Sequence, residues 1–225
     1  MSMRRLSILS ILAFALAASF TASSIAGEIS FGVKAGLLTS NVTGTPEGWE
    51  DSMSYRTTFA GGVVLNYAFN EAFSLEPELL YFSKGFVGNL YEGIVNVDAT
   101  ASFDYMELPV LAKYTFLPGR KFRPCVFAGP SFAYSIASEL EISVGIGSGS
   151  VDISNLTHTT DFGAVLGAGF GYETGQGTLT FEVRYQRGFT NVVTSGDFLI
   201  NGSTRTIDID DFKNYGFAFL VGYRL

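Results

Sequence analysis

The chain has 225 residues, a formal net charge of −7 and 47% hydrophobic residues. An acidic chain without a basic run argues against nucleic acid as a partner, and a single cysteine excludes an internal disulfide. The hydrophobic content would usually indicate membrane helices, but beyond the N-terminal segment no apolar run approaches the ~18 residues that a spanning helix requires.

Residues 1–26 have the three parts of a secretory signal peptide. Arg4 and Arg5 precede an apolar run, and the segment ends in Ser24-Ile25-Ala26, which places small residues at −3 and −1 of a cleavage site. The run is well under the ~20 residues of a spanning helix, so an uncleaved anchor is the weaker alternative. We therefore predict an exported protein with one mature domain over residues 27–225.

The mature chain alternates between large apolar residues and small or polar ones in eight segments. A period of two predicts β-strands, here over 29–38, 56–69, 72–86, 102–116, 122–137, 160–173, 178–190 and 212–225. Tight connections alternate with long ones over 39–55, 87–101, 138–159 and 191–211. Short periplasmic turns, long extracellular loops and an even strand count are typical of outer-membrane barrels. The predicted fold is all-β, an eight-stranded antiparallel up-and-down transmembrane β-barrel.

Charged residues in the middle of these strands fall on the face opposite the large apolar residues. In TLTFEVRYQ, for example, Glu182 and Arg184 oppose Phe181 and Val183. A soluble barrel would reverse this pattern, and an Arg or Lys facing lipid at the midplane would cost ~2–4 kcal/mol. The apolar face therefore meets lipid. The predicted barrel-interior charge network consists of Lys34, Glu76, Glu78, Glu107, Lys113, Arg123, Glu182 and Arg184.

Aromatic residues gather at both ends of the predicted strands, as two interfacial girdles require. The set at the extracellular end is Phe59, Tyr81, Phe132, Tyr134, Phe162, Tyr185, Phe189, Tyr215 and Phe217.

Three stretches resemble the PorT-like outer-membrane β-barrel family: ISFGVKAGLLTSNVTG, YMELPVLAKYTF and KFRPCVFAGPSFAYSI. The resemblance implies an eight-stranded barrel in a Gram-negative outer membrane, usually without known activity, and one class of members is tied to protein secretion and gliding. Such barrels commonly end in an aromatic residue, whereas this chain ends in Leu225 with Tyr223 two residues earlier. Leu225 keeps the apolar alternation, so we expect the insertion machinery still to read this strand.

Few residues are candidates for a catalytic, phosphate-binding or metal-binding role. His158, the single histidine, lies in a predicted loop without an identifiable Ser and carboxylate, so a lipid-modifying rim hydrolase is the least favoured hypothesis. The glycines in 145–149 and 167–171 lack the βαβ context of a phosphate loop. Asp208, Asp210 and Asp211 have no EF-hand spacing. We predict no catalytic residue, no cofactor and no dedicated metal site.

Eight strands leave an interior just wide enough for side chains, so the inward charges are expected to plug the barrel. The leading hypothesis is therefore a rigid, non-enzymatic barrel that presents its loops for a structural, adhesion or surface-contact role. A small pore or uptake protein is the alternative. Expected partners are outer-membrane lipid and lipopolysaccharide, the barrel-insertion machinery through the last strand, and unidentified surface or secretion-machinery proteins.

Overall fold

The computed structural model describes residues 27–44, 53–92, 95–144, 147–192, 196–200, 203–207 and 212–225. The predicted signal peptide lies outside these residues, and so does the Asp208, Asp210 and Asp211 cluster. Within the described ranges, no helix combines the length and the apolar character needed to cross a membrane.

Eleven strands follow one another along the described chain, with one short 3₁₀ turn at Ser154–Leu156. The strands are β1 (Glu28–Val42), β2 (Met53–Ala68), β3 (Phe73–Glu92), β4 (Val95–Thr115), β5 (Phe122–Val144), β6 (Gly147–Asp152), β7 (Thr160–Glu173), β8 (Thr178–Gly188), β9 (Gly196–Ile200), β10 (Ser203–Ile207) and β11 (Asn214–Arg224).

Eight of these strands form a closed barrel in the order β1–β2–β3–β4–β5–β7–β8–β11. All neighbouring pairs are antiparallel, and β11 returns to pair with β1, where Gly36 faces Leu220. Closure leaves the barrel wall without an unpaired edge. The prediction of an eight-stranded antiparallel β-barrel is confirmed.

Residues of the barrel wall alternate between buried and exposed. Along β8, Thr180, Glu182 and Arg184 are buried, whereas Phe181 and Val183 are exposed. Since the exposed residues of the wall are largely apolar and buried charges such as Glu182 and Arg184 point inward, the wall has the reverse polarity of a soluble barrel.

The strands differ strongly in length, which the alternation did not predict. β8 and β11 have 11 residues each, whereas β3, β4 and β5 have 20, 21 and 23. The expected loops over 87–101 and 138–159 are therefore largely strand, because β3 and β4 stay paired up to Glu92 and Val95. At about 3.3 Å per residue, the extra length amounts to roughly 30 Å of strand.

The extended strand ends form a sheet that stands above the barrel rim, and we call it the raised sheet. It consists of Phe86–Glu92 of β3, Val95–Ser102 of β4, Glu139–Val144 of β5 and the whole of β6. β9 and β10 form a separate hairpin in place of part of the expected loop over 191–211. By the rule that long connections are extracellular, the raised sheet lies outside the cell.

Candidate functional site

A group of buried charges fills the barrel at the level of Lys34, and we call it the central ion cluster: Lys34, Glu76, Glu78, Lys113, Glu182 and Arg184. β1 carries Lys34 inward between two glycines, since Gly62 and Gly222 are its partners on the neighbouring strands. The Lys34 ammonium donates to Glu76 at 2.5 Å, to Glu78 at 2.5 Å and to Glu182 at 2.9 Å. One cation therefore joins three carboxylates from two strands.

Two further cations complete the central ion cluster. Lys113 on β4 lies 3.0 Å from both Glu76 and Glu182. Arg184 on β8 donates to Glu78 at 2.6 Å and to Glu182 at 2.5 Å. Three cations thus balance three carboxylates, and the charges that would be costly to bury singly are compensated.

The same three carboxylates have the spacing of a metal site, since oxygens of Glu76, Glu78 and Glu182 lie within 4.8 Å of one another. The Lys34 ammonium already contacts all three. An ammonium in this position supplies the positive charge that a metal ion would otherwise bring, so the arrangement is that of an ion-pair plug.

Phe127 covers one side of the cluster. Its ring centroid lies 5.6 Å from Lys113 Nζ and 5.4 Å from Arg184 Cζ, within cation–π range. A Cβ on Gly167 would lie 2.4 Å from this ring, and one on Gly169 would lie 3.1 Å from Glu182 Cγ. The glycine-rich face of β7 therefore makes room for one inward ring and one inward charge. It is a strand and does not form a phosphate loop.

The remaining two predicted network residues lie apart from the cluster. Glu107 pairs with buried Lys84 at 2.7 Å. Arg123 lies near the start of β5 at the periplasmic mouth, where its half-exposed guanidinium pairs with Glu173. The difference arises because alternation fixes the face of a residue and leaves its height along the barrel open.

Sequence reasoning missed two cations of the interior. Lys84 lies an even number of residues after Glu76 and Glu78 in β3, so the alternation predicts that its side chain also faces the interior. Arg224 on β11 reaches Glu76 at 3.3 Å from the edge of the lumen. Arg224 lies two residues after Gly222 in β11, so the alternation places it on the inward face as well.

A cavity of about 710 Å³ opens at the periplasmic end of the barrel. Lys113, Arg123, Arg224 and buried Cys125 lie in its wall. The cavity reaches Lys113, which belongs to the central ion cluster, so the cluster bounds it on the inner side.

Apolar side chains fill the lumen on the extracellular side of the cluster. Along β1 the inward residues run from Lys34 to Leu38 and then to Val42. The two layers beyond the charges are Leu38, Ala60, Leu80, Phe82, Ala218 and Leu220, and then Val42, Ala101, Phe103, Tyr105, Ala133, Val192 and Phe212. All of these are buried, so the interior is packed rather than open.

The raised sheet is acidic. Asp98, Glu139, Glu141 and Asp152 are exposed on it, and the sequence has no Lys or Arg over residues 85–112 or 124–183. Hydrogen bonds from the Ser154 side chain and backbone lower the pKa of Asp152, which keeps that carboxylate charged at neutral pH.

One edge of the raised sheet is free among the described residues. On one side β6 pairs with β5, from Asp152 opposite Glu139 to Gly147 opposite Val144. On its other side no strand of the described residues pairs with it. A Cβ on Gly149 would meet nothing within 4 Å, and Val151 is 60% exposed. The unpaired backbone groups of such an edge are available to another strand.

His158 is exposed, and its backbone N–H donates to Val192 O at 2.9 Å. Its imidazole has no hydrogen-bond partner within the part of the chain that the structure describes. Residues 145 and 146 of the first glycine run lie outside that part.

The comparison with known protein families identifies an outer-membrane barrel domain. A family model described as an outer membrane protein beta-barrel domain matches residues 17–194. No curated protein matches the sequence.

The solved structures that this chain matches include three bacterial proteins. Neisserial surface protein A has a TM-score of 0.47 at 10% identity, with 88% of this chain and 99% of that chain covered. OprG from Pseudomonas aeruginosa has a TM-score of 0.47 at 14% identity, with 87% of this chain and 95% of that chain covered. Ail, the attachment invasion locus protein of Yersinia pestis, has a TM-score of 0.42 at 13% identity, with 88% of this chain and 99% of that chain covered.

Proposed function

The chain belongs to the outer membrane protein beta-barrel domain family, and from this premise we propose that it is a non-enzymatic, non-conducting barrel that presents an acidic contact surface outside the cell. The contact surface is the raised sheet, and the partner is a basic polypeptide segment. The observation that carries the proposal is the combination of a filled lumen with strands that continue far beyond the barrel.

The filled lumen supports a scaffold rather than a channel. An ion entering from the periplasmic cavity meets the central ion cluster, where Lys34 and Arg184 are almost fully buried. Beyond the cluster it meets two packed apolar layers. Moving an ion through such layers would require breaking buried ion pairs, and breaking one costs several kcal/mol.

Conductance tests this part of the proposal. Purified protein in planar lipid bilayers is expected to give no stable single-channel openings over either polarity. Stable openings that disappear in Arg184→Ala or Glu76→Ala would instead establish the small pore, because current would then depend on the residues that line the lumen.

The raised sheet supports the choice of partner. Its exposed acids, Asp98, Glu139, Glu141 and Asp152, attract a basic segment and repel acidic ones. The free edge of β6 offers backbone donors and acceptors to an extended chain, which is the geometry of strand addition. Charge therefore selects the partner, and the edge gives it a place to bind.

Charge reversal tests the contact. Protein in lipid nanodiscs is expected to bind a lysine-rich peptide, and Glu139→Lys/Glu141→Lys is expected to weaken binding by roughly tenfold, because each change replaces attraction with repulsion. Binding by the unchanged protein should also weaken as salt is added. The measurement is a fluorescence-anisotropy titration with labelled peptide.

The matched control is Glu28→Lys/Glu71→Lys, which changes the net charge equally at the exposed periplasmic end. It is expected to bind as the unchanged protein does. Equal losses in the two double variants would contradict the proposal, since the peptide would then respond to overall charge and not to the raised sheet.

Four finer assignments belong to this proposal. Membership in the PorT-like class rests on the three motifs quoted above, and a partner in secretion machinery is implied only by that resemblance. Contacts with lipopolysaccharide and with the barrel-insertion machinery through β11 rest on the lipid-facing wall and on the terminal strand.

A further inference from the structure

The outward face of β8 carries a cation within an apolar surface. Its outward residues are Leu179, Phe181, Val183 and Tyr185, followed by Arg187, which is exposed. Arg187 stands between Tyr185 and Phe189, two members of the predicted extracellular aromatic girdle. A cation at this depth meets the headgroup region of the outer leaflet, where Arg costs only ~0–1 kcal/mol.

The neighbours of Arg187 leave space and add polar groups. Its partner on β7 is the small residue Ala164, and its partner on β11 is Tyr215. Directly opposed side chains on antiparallel strands have Cβ atoms ~4.5–5.5 Å apart, so the Tyr215 ring lies beside Arg187. The Tyr215 hydroxyl in turn donates to the Tyr55 hydroxyl at 3.3 Å.

Among the described residues, no carboxylate pairs with the Arg187 guanidinium. Within the described residues the Arg187 side chain forms no ion pair and no hydrogen bond, whereas Arg56, Arg123, Arg184 and Arg224 each have a polar partner. A guanidinium has five donors in a planar fork that suits phosphate oxygens. The ligand that this position fits is therefore a phosphate group held at the membrane surface.

We propose that Arg187 binds a phosphate group of lipopolysaccharide in the outer leaflet. Arg187 supplies the charge and a bidentate hydrogen bond, and the small residue Ala164 leaves room for the sugar that carries the phosphate. The site rests on the membrane orientation of the barrel and does not depend on the raised sheet. Failure of this proposal would therefore leave the peptide contact of the proposed function untouched.

The test compares binding of diphosphorylated lipid A with that of dephosphorylated lipid A to detergent-solubilised full-length mature protein, read by native mass spectrometry. The unchanged protein is expected to bind the phosphorylated form roughly tenfold more tightly, since a hydrogen bond to a charged group is among the strong ones. Arg187→Gln is expected to abolish that preference, whereas Tyr215→Phe is expected to keep it, because the Tyr215 hydroxyl already donates to the Tyr55 hydroxyl. Excess inorganic phosphate is expected not to displace the lipid, because free phosphate lacks the acyl chains that lie on the barrel wall.

Arg120→Gln is the matched control, because it removes one exposed arginine from a turn at the periplasmic end. It is expected to keep the preference for phosphorylated lipid A. Persistence of the preference in Arg187→Gln, an equal loss in Arg120→Gln, or displacement of the lipid by inorganic phosphate alone would each overturn the site. Heat-modified gel mobility of all variants verifies that the barrel is folded, so that a loss of binding reports on the site.

Discussion

Lys34→Met is expected to lower the free energy of unfolding by about 3–5 kcal/mol, the cost of removing one partner from a buried ion pair. Methionine is similar in length to lysine, so packing changes little while the positive charge is lost. Among the described residues, Glu76, Glu78 and Glu182 would then retain Lys113, Arg184 and the more distant Arg224 as their cationic partners. The measurement is urea-induced unfolding in detergent micelles, followed by far-ultraviolet circular dichroism.

The control for this variant is Val33→Met, which makes a comparable change at the neighbouring lipid-facing position, where the side chain is 59% exposed. Its effect is expected to be within about 0.5 kcal/mol, as for exposed positions in general. Adding Glu182→Gln to Lys34→Met should recover part of the lost stability, because it removes one uncompensated carboxylate. Equal stability of Lys34→Met and the unchanged protein would show that the cluster does not hold the barrel together.

Val183→Arg is expected to destabilise the inserted barrel by ~2–4 kcal/mol, because it places a cation against lipid near the bilayer midplane. Val183 lies in the middle of β8, is 49% exposed, and has Phe219 and Ala168 as partners on the two adjacent strands. The measurement is equilibrium folding into lipid vesicles, with the folded fraction read from heat-modified gel mobility.

Leu179→Arg provides the depth control. Leu179 points outward on the same strand, beside Tyr172 and Tyr223 at the periplasmic girdle, where the same substitution is expected to cost only ~0–1 kcal/mol. If Val183→Arg and Leu179→Arg folded equally well, the outward surface of β8 would not be in contact with the hydrocarbon core.

The sequence predicted the parts of the fold that the bilayer constrains. The segment expected over 160–173 coincides with β7 at Thr160–Glu173, because each outward residue there has to be apolar and the alternation is therefore strong. The raised sheet was not predicted. Above the membrane no lipid requires the outward face of a strand to be apolar, so stretches such as Phe86–Glu92 need not show the contrast on which the period-two signal depends.

For the interior charges, the sequence predicted the orientation of the side chains but not their pairing. Parity gave the face on which Lys34 and Glu182 lie, but their contact depends on strand tilt and register, which bring together residues 148 positions apart. Local irregularities add to the difficulty, since the register between β4 and β5 shifts at Asp104 and Tyr105. Pairing within the lumen therefore required coordinates, whereas Lys84 could have been found by continuing the alternation of β3.

The central ion cluster also bears on how the barrel is assembled. Its members come from β1, β3, β4 and β8, so no single hairpin contains a complete set of partners. Lys34 meets Glu182 only when the first strand has joined the last, at the seam where β1 pairs with β11. The Lys113–Glu76 pair of the adjacent strands β3 and β4 can form earlier, but until the seam closes Lys34 and Glu182 stay apart. The Lys34–Glu182 pair thus favours the complete circle of strands over a partial one.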